Sequence, residues 1–241
     1  MSHKKRGYKR ETPEDLFRDY KLFAIACEGQ KTEPNYFKVF RLMSRKLKVD
    51  IIDYEEDDRK GSQIGQLKSA PKWVLDKAVK YIEDEGLIDE DSLWFVLDVD
   101  RWESEQLRNI AQWCAEHPNW HIVLSNPCFE VWLYYHKKAN IAVSDSQTCH
   151  DFKHEISTFD KGGYHPYKYV PYLTSAIANA KAAESDPDHY FPVPKETKVY
   201  LLGEALLEEI GRKSYEDFLN NHLPILIEEE IKKFKVGRHK K

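Results

Sequence analysis

The stretch LFAIACEGQKTEPNYF, residues 22–37, decides the fold of this chain. Its first six residues are apolar, and the run ends in a carboxylate and a glycine, Glu28 and Gly29. A second carboxylate, Glu33, follows where Pro34 indicates the first turn of a helix. A continuous apolar run of this kind is typical of a strand buried on both faces, so Glu28 is predicted to lie at its carboxyl end.

The same pattern recurs in SLWFVLDVDRW, residues 92–102, where an apolar run ends in Asp98 and Asp100. Because one residue separates them, both aspartates are expected to point to one face of the strand end. Open α/β sheets carry their chemistry just beyond the carboxyl ends of such strands. We therefore expect the acids of both motifs to meet in one crevice.

Carboxylates that meet in a crevice repel one another, and their pKa values rise unless a cation neutralises them. The economical partner is a hard divalent ion, Mg²⁺ or Mn²⁺, because carboxylate and water oxygens are its preferred ligands. The pattern thus predicts a metal-dependent phosphoryl-transfer enzyme. The chain has no GxGxxG and no GxxxxGK[ST] sequence, so we expect no P-loop nucleotide hydrolysis.

Strands and helices are predicted to alternate up to about residue 140, which indicates a parallel sheet with right-handed crossovers. The predicted strands are 22–27, 49–54, 93–97 and 121–125, and the predicted helices are 33–46, 71–85, 103–116 and 129–136. The later sequence is predicted to form helices near 172–184, 197–211 and 214–234, after a mobile or ligand-facing segment at 155–171. The expected domains are a basic arm (1–19), an α/β domain (20–140) and a helical subdomain with a basic tail (141–241).

Positive charge is concentrated at the two ends of the chain. Residues 1–10 and 232–241 hold eleven of the 37 basic side chains and no acid, which leaves 26 basic against 41 acidic residues, a net charge of −15, between them. The ends could contact a phosphate backbone, or they could be solvated tails. No apolar run is long enough for a membrane helix, and the four cysteines show no CxxC spacing, so a cytoplasmic protein with inert thiols is expected.

The string SNPCFEVWLYYH, residues 125–136, adds a further acid to the expected site. Glu130 follows the fourth predicted strand by about one turn and can approach the same edge of the sheet. Its neighbours are apolar, so a charge there without a function would be costly. His150 and His154 have a spacing that zinc sites use, but a fourth ligand is missing, and a solvent-facing pair is the favoured interpretation.

These strings together resemble the RloB-like family, over about residues 20 to 210. The resemblance is carried by ACEGQKTEPNYF, FVLDVDRW, SNPCFEVWLYYH, a segment containing Tyr167-Lys168, and PKETKVYLLGEAL. It implies a Toprim-like parallel sheet flanked by helices, with a C-terminal helical subdomain. It also implies a nuclease of prokaryotic anti-phage, abortive-infection systems, often encoded beside an AAA or ABC-type ATPase.

The expected mechanism is metal-assisted cleavage of a phosphodiester in RNA, such as tRNA, or in DNA. Glu28, Asp98, Asp100 and Glu130 are the expected metal ligands, and Glu33 or Glu130 could act at a second metal or as a general base. By resemblance to Toprim nucleases, Lys168 is expected to offset charge on the scissile phosphate, with Lys161 as the alternative.

A different class of function remains open at this point: a regulatory or scaffold module of an ATPase complex, with a structural metal. The oligomeric state, including a homo-oligomer, is also open. Tyrosines 164, 167, 169 and 172 alternate with basic residues and could stack on bases, or they could pack a helical cap.

Overall fold

The structure, a computed structural model, describes residues 19–52, 71–99 and 104–238, and of residues 233–238 only the backbone. Residues 1–18 of the basic N-terminal arm, residues 53–70 after the second strand, and Asp100 therefore lie outside the described residues. In the described part, no helix is both long and apolar enough to cross a membrane.

A four-stranded parallel sheet with the order β2-β1-β3-β4 forms the centre of the protein, as the α/β prediction requires. The strands are β1 (Lys21–Cys27), β2 (Leu47–Ile51), β3 (Ser92–Asp98) and β4 (Trp120–Ser125). Ile25 lies opposite Trp94 across β1 and β3, and Phe95 lies opposite Ile122 across β3 and β4. After β1 the chain adds β2 on one side of it and then β3 on its other side. The strand order therefore reverses between β1 and β3.

Both faces of the sheet are covered by helices, which explains why the strands are apolar without alternation. Phe23 and Ile25 belong to one hydrophobic cluster, whereas Ala24 and Ala26, their neighbours in β1, belong to the other. The helices of the first part are α1 (Thr32–Lys38), α2 (Pro71–Glu85), α3 (Ser104–Ala115) and α4 (Glu130–Lys137). Helices α2 and α3 cover the alanine face of β1.

The later helices share the hydrophobic cluster on the opposite face. They are α5 (Cys149–Phe159), α6 (Pro166–Tyr169), α7 (Leu173–Ala183), α8 (Val199–Ile210), α9 (Arg212–Asp217) and α10 (Leu223–Arg238). Helix α4 lies in the middle of this cluster, and all seven of its residues from Glu130 to His136 are buried. The proposed boundary between an α/β domain and a helical subdomain, near residue 140, stays a prediction.

Some predicted boundaries differ from the structure for identifiable reasons. Helix α1 ends at Lys38 and a 3₁₀ turn continues to Leu42, because Leu47 belongs to β2, where buried and more exposed residues alternate. The segment 155–171, predicted to be mobile or ligand-facing, contains the end of α5 and the whole of α6. The last predicted helix is divided by a π-helical turn at Phe218–His222, ahead of Pro224 in the first turn of α10.

A short segment before α8 closes the outer edge of β4. Ser125 and Thr197 form an antiparallel bridge, Lys198 donates its backbone N–H to the carbonyl of Leu124 at 2.8 Å, and Asn126 donates to the carbonyl of Glu196 at 2.9 Å. The Ser125 and Thr197 hydroxyls also bond at 2.7 Å. The PKETK sequence therefore protects the carboxyl end of an edge strand from pairing with other chains.

A buried histidine connects α1 to α4. His136 is 2% exposed; its Nδ1 donates to the carbonyl of Trp132 at 2.9 Å, and its Nε2 accepts from the hydroxyl of Tyr36 at 2.9 Å. Because a carbonyl can only accept, the proton of the neutral ring lies on Nδ1. Burial lowers the pKa of His136 from 6.5 to about 3.

We expect His136 to make the protein less stable as the pH falls. The unfolded chain binds a proton below about pH 6.5 and the folded chain does not until about pH 3, so unfolding takes up a proton throughout this window. Stability from this group is thus complete above pH 6.5 and is lost at up to about 1.4 kcal/mol per pH unit on acidification. In denaturant unfolding across this range, His136→Gln should show a shallower pH dependence than the wild type. His154→Gln, at an exposed position of α5, is the control and should keep the wild-type slope.

Candidate functional site

Two of the predicted acids lie side by side where the strand order reverses. Glu28 directly follows β1 and Asp98 is the last residue of β3, the neighbouring strand. Glu28 is 6% exposed, and its Oε2 accepts the backbone N–H of Asp98 at 3.1 Å. Glu28 in turn donates its own N–H to the carbonyl of Val96 at 3.1 Å. The first carboxylate is thus held against the end of the strand that carries the second.

Glu33 extends this pair from the first turn of α1. Glu33 is buried, and its carboxylate occupies the space that the Cβ atom of any other residue at position 29 would need. A glycine at position 29 therefore leaves room for the Glu33 carboxylate in the position that it occupies.

Glu130 approaches from the first turn of α4. It is buried between apolar neighbours, and its Oε2 lies 3.9 Å from the Sγ of Cys149, the first residue of α5. The charge of Glu130 contributes to the raised pKa values of Glu33 and Asp98. Its predicted approach to the same edge as Glu28 stays a prediction.

Two of these carboxyl groups, Glu33 and Asp98, have raised pKa values. The pKa of Glu33 is raised to about 7, mainly by burial; a backbone hydrogen bond lowers it, the charges of Glu130 and Glu28 add to the rise, and Lys153 opposes it. Burial also raises the pKa of Asp98 well above its usual range, followed by the charges of Glu28, Glu33 and Glu130. Without a cation, this group is therefore partly protonated near neutral pH.

Lys153, which the sequence did not suggest, is a cation near these acids, in addition to the predicted lysines. The ammonium group of Lys168 donates to the carbonyls of Lys161 at 2.8 Å and Gly163 at 3.1 Å, so it closes its own loop, and Lys161 is exposed. Lys153 on α5 lies nearer. Burial alone would lower the pKa of Lys153, but the proximity of Glu130 and then of Cys149 raises it overall. The predicted role of Lys168 at a phosphate stays a prediction.

Sequence reasoning missed Lys153 because it missed α5. The segment around it reads as polar, and its local helix signals are the capping box of Thr148 and Asp151 and the helical spacing of Cys149, Phe152 and Ile156. Once α5 is in place, Lys153 lies one turn after Cys149 and on the same side. His150 and His154 are exposed, in agreement with the solvent-facing interpretation.

Two cysteines next to Glu130 were also missed as a group. The Sγ atoms of Cys128 and Cys149 and a carboxylate oxygen of Glu130 all lie within 4.8 Å of one another, and the three residues are buried. Among the described residues, this is the group that reaches the mutual distances of ligands to one ion. The predicted set Glu28, Asp98, Asp100 and Glu130 is not tested as a whole, because Asp100 lies outside the described residues.

A cavity of about 360 Å³ lies beside α1. Tyr164, His165, Tyr167, Lys38 and Glu230 form part of its wall. The Tyr164 hydroxyl donates to the carbonyl of Thr32 at 3.3 Å, next to Glu33. Of the predicted stacking tyrosines, Tyr169 is fully buried and packs in the core, whereas Tyr172 is 45% exposed.

A family model described as RloB-like protein matches residues 23–206 of the chain. The match covers β1 to β4 and the helices up to α8, and so includes every predicted site residue. Comparisons with curated proteins and with solved structures gave no match.

Without a metal, we expect Glu33 to make the protein less stable as the pH rises. Its pKa is about 7 in the folded protein and 4.5 ordinarily, so the folded state holds a proton that the unfolded state loses in this window. The stability from the protonated group is complete below about pH 4.5 and is lost as the pH passes 7, a change on the order of 3 kcal/mol. In chelator, Glu33→Gln should therefore melt above the wild type at about pH 8 and close to it at about pH 5.

The matched control for this experiment is Glu105→Gln, because Glu105 also lies in the first turn of a helix but is exposed. It should follow the wild type at every pH. Equal pH dependence of melting in Glu33→Gln and the wild type would contradict the assignment of the raised pKa to Glu33.

Proposed function

The chain belongs to the RloB-like protein family, and from this premise we propose that it is a metal-dependent nuclease that hydrolyses phosphodiester bonds in RNA, such as tRNA, or in DNA. The observation that carries the proposal is the convergence of buried carboxyl groups from β1, β3, α1 and α4 at the point where the strand order reverses. Buried acids that raise one another's pKa values are typical of catalytic sites.

The donors at this point fit Mg²⁺ or Mn²⁺. Glu28, Asp98 and Glu130 offer carboxylate oxygens, the ligands that hard divalent ions prefer. Burial, followed by the neighbouring negative charges, raises the pKa of Asp98, and a bound cation would offset both effects. Asp100 completes the predicted ligand set. When bound, the metal would supply an activated water and stabilise charge on the leaving oxygen.

The side chains divide the remaining tasks by their surroundings. The hydrogen bond from the Asp98 N–H holds the Glu28 carboxylate in place, so it is oriented before a metal or substrate arrives. Glu33, with a pKa of about 7, is suited to accept a proton near neutral pH. Lys153 is placed to offset negative charge beside Glu130.

The cavity beside α1 is the contact surface that we propose for a nucleic-acid strand. Tyr164 and Tyr167 offer rings on which bases could stack, and Lys38 offers a charge for a phosphate. We further propose that the nuclease acts in anti-phage defence with an ATPase encoded nearby. The support for this role is the family membership, together with the absence of a P-loop sequence in the chain itself.

We expect Glu28→Gln to abolish nuclease activity while leaving the fold intact. The amide keeps the size of the side chain but removes the charge that binds the metal, so cleavage should fall by at least about 100-fold, the upper end of losses from removing even an outer partner of a metal ligand. The assay is cleavage of a panel of tRNA, other RNA, single-stranded DNA and duplex DNA with Mg²⁺, Mn²⁺ or chelator, with and without the neighbouring ATPase.

Glu116→Gln, at an exposed position after α3, is the control and should cleave like the wild type. Full activity of a folded Glu28→Gln protein would move the site elsewhere. Metal binding without cleavage of any member of the panel, with the ATPase present, would favour the alternative of a regulatory or scaffold module.

If the basic ends contact the substrate, their removal should weaken binding without slowing turnover. Deleting residues 1–10 and 232–241 should flatten the dependence of binding on salt by about one unit of slope for each lost phosphate contact. Turnover at saturating substrate should change little, since the ends would contribute to ground-state binding. The measurement is a titration of binding against salt for the full-length and trimmed proteins, and an unchanged slope would identify the ends as solvated tails.

A further inference from the structure

The junction of α4 and α5 brings together two sulfur atoms and one carboxylate. Cys128 precedes α4 by two residues, Glu130 is its first residue, and Cys149 is the first residue of α5. Their potential ligand atoms all lie within 4.8 Å of one another. No disulfide involves either cysteine, and both are buried.

The packing of the two helices keeps this junction in place. Tyr134 on α4 contacts Phe152 and Phe159 on α5, with ring centroids 6.4 and 5.6 Å apart. Cys128 is inaccessible to solvent, and Cys149 is 7% exposed. The Thr148–Asp151 capping box fixes the start of α5 and with it the position of Cys149. The three ligands are therefore carried by two helix starts that cannot move independently.

The chemistry of this group differs from that of the carboxyl cluster beside it. Mg²⁺ and Mn²⁺ favour oxygen ligands, whereas zinc binds cysteine sulfur, together with carboxylate oxygen, in four-coordinate sites. Two sulfurs and one carboxylate supply three zinc ligands and leave a fourth position for water or another side chain.

The surrounding charge also suits a divalent ion with two thiolates. Zinc, two thiolates and the Glu130 carboxylate together would carry one negative charge. Lys153, which faces Glu130 and Cys149, would compensate it. This pairing lowers the cost of placing the charge of the zinc site in the protein interior.

We propose that Cys128, Glu130 and Cys149 form a zinc-binding site. Glu130 is also a ligand of the proposed magnesium site, and the other ligands of the two sites differ. Zinc binding does not depend on the proposed nuclease activity. It does imply that zinc and the catalytic metal compete for one carboxylate.

Cobalt is the spectroscopic probe for this site, because Co²⁺ replaces Zn²⁺ in tetrahedral sites and absorbs through its bonds to thiolates. The full chain, stripped of metal and kept reduced with a phosphine, is titrated with Co²⁺ and then with Zn²⁺. We expect a thiolate-to-cobalt charge-transfer band that saturates at one equivalent of Co²⁺ per chain and is bleached by one equivalent of Zn²⁺. Absence of this band in the folded wild type would overturn the proposal.

Four variants identify the ligands. Cys128→Ser and Cys149→Ser should each lose about half or more of the band and bind zinc at least about tenfold more weakly, the lower end of losses even for outer partners of metal ligands. Glu130→Gln should keep the band and weaken zinc binding. Cys114→Ser, at a buried cysteine in the opposite hydrophobic cluster, should keep both.

Circular dichroism establishes whether each variant is folded. If a serine variant does not fold, Glu130→Gln, which is nearly isosteric with the wild type, still tests the proposal. Loss of the band in Cys114→Ser to the same extent as in Cys128→Ser would overturn the assignment. So would zinc affinity that is unchanged in Glu130→Gln. Because these measurements read metal binding alone, they can fail or succeed whether or not the protein cleaves nucleic acid.

Discussion

Repulsion among enclosed carboxyl groups is the constraint around which this structure is arranged. Glu28, Glu33, Asp98 and Glu130 come from four different elements, and each is held where water cannot freely screen its charge. Such a cluster opposes folding unless protons or a cation neutralise it. Burial of apolar side chains on both faces of the parallel sheet offsets this cost to folding and fixes the strand ends that carry the acids.

The arrangement of the sheet follows from the sequence to a large extent. Continuous apolar runs identified β1, β3 and β4, and the acids that end two of them indicated the edge where the site lies. The predicted element boundaries were less accurate where a helical spacing and a strand alternation compete. Leu47 fits both a helical spacing after α1 and the alternation of β2, and local sequence alone does not decide between them.

The side chains that lie at the candidate site were harder to predict from the sequence than the position of that site in the fold. Lys153 and Cys149 are brought to Glu130 by α5, a helix that begins with a polar capping box in a segment rich in polar residues. Lys168 matched a family pattern, yet its ammonium group binds the carbonyls of its own loop. Contacts between distant segments depend on tertiary packing, and neither spacing nor residue type encodes them.

The hydrogen bond between Tyr36 and His136 has a meaning beyond the core in which it lies. Tyr36 follows Glu33 by three residues on α1, and His136 follows Glu130 by six residues on α4. The neutral ring accepts this bond on Nε2, so the bond ties α1 to α4 in the core. The separation of Glu33 and Glu130, which lie in the first turns of the same two helices, therefore depends on a pair of side chains that lie in the interior of the protein.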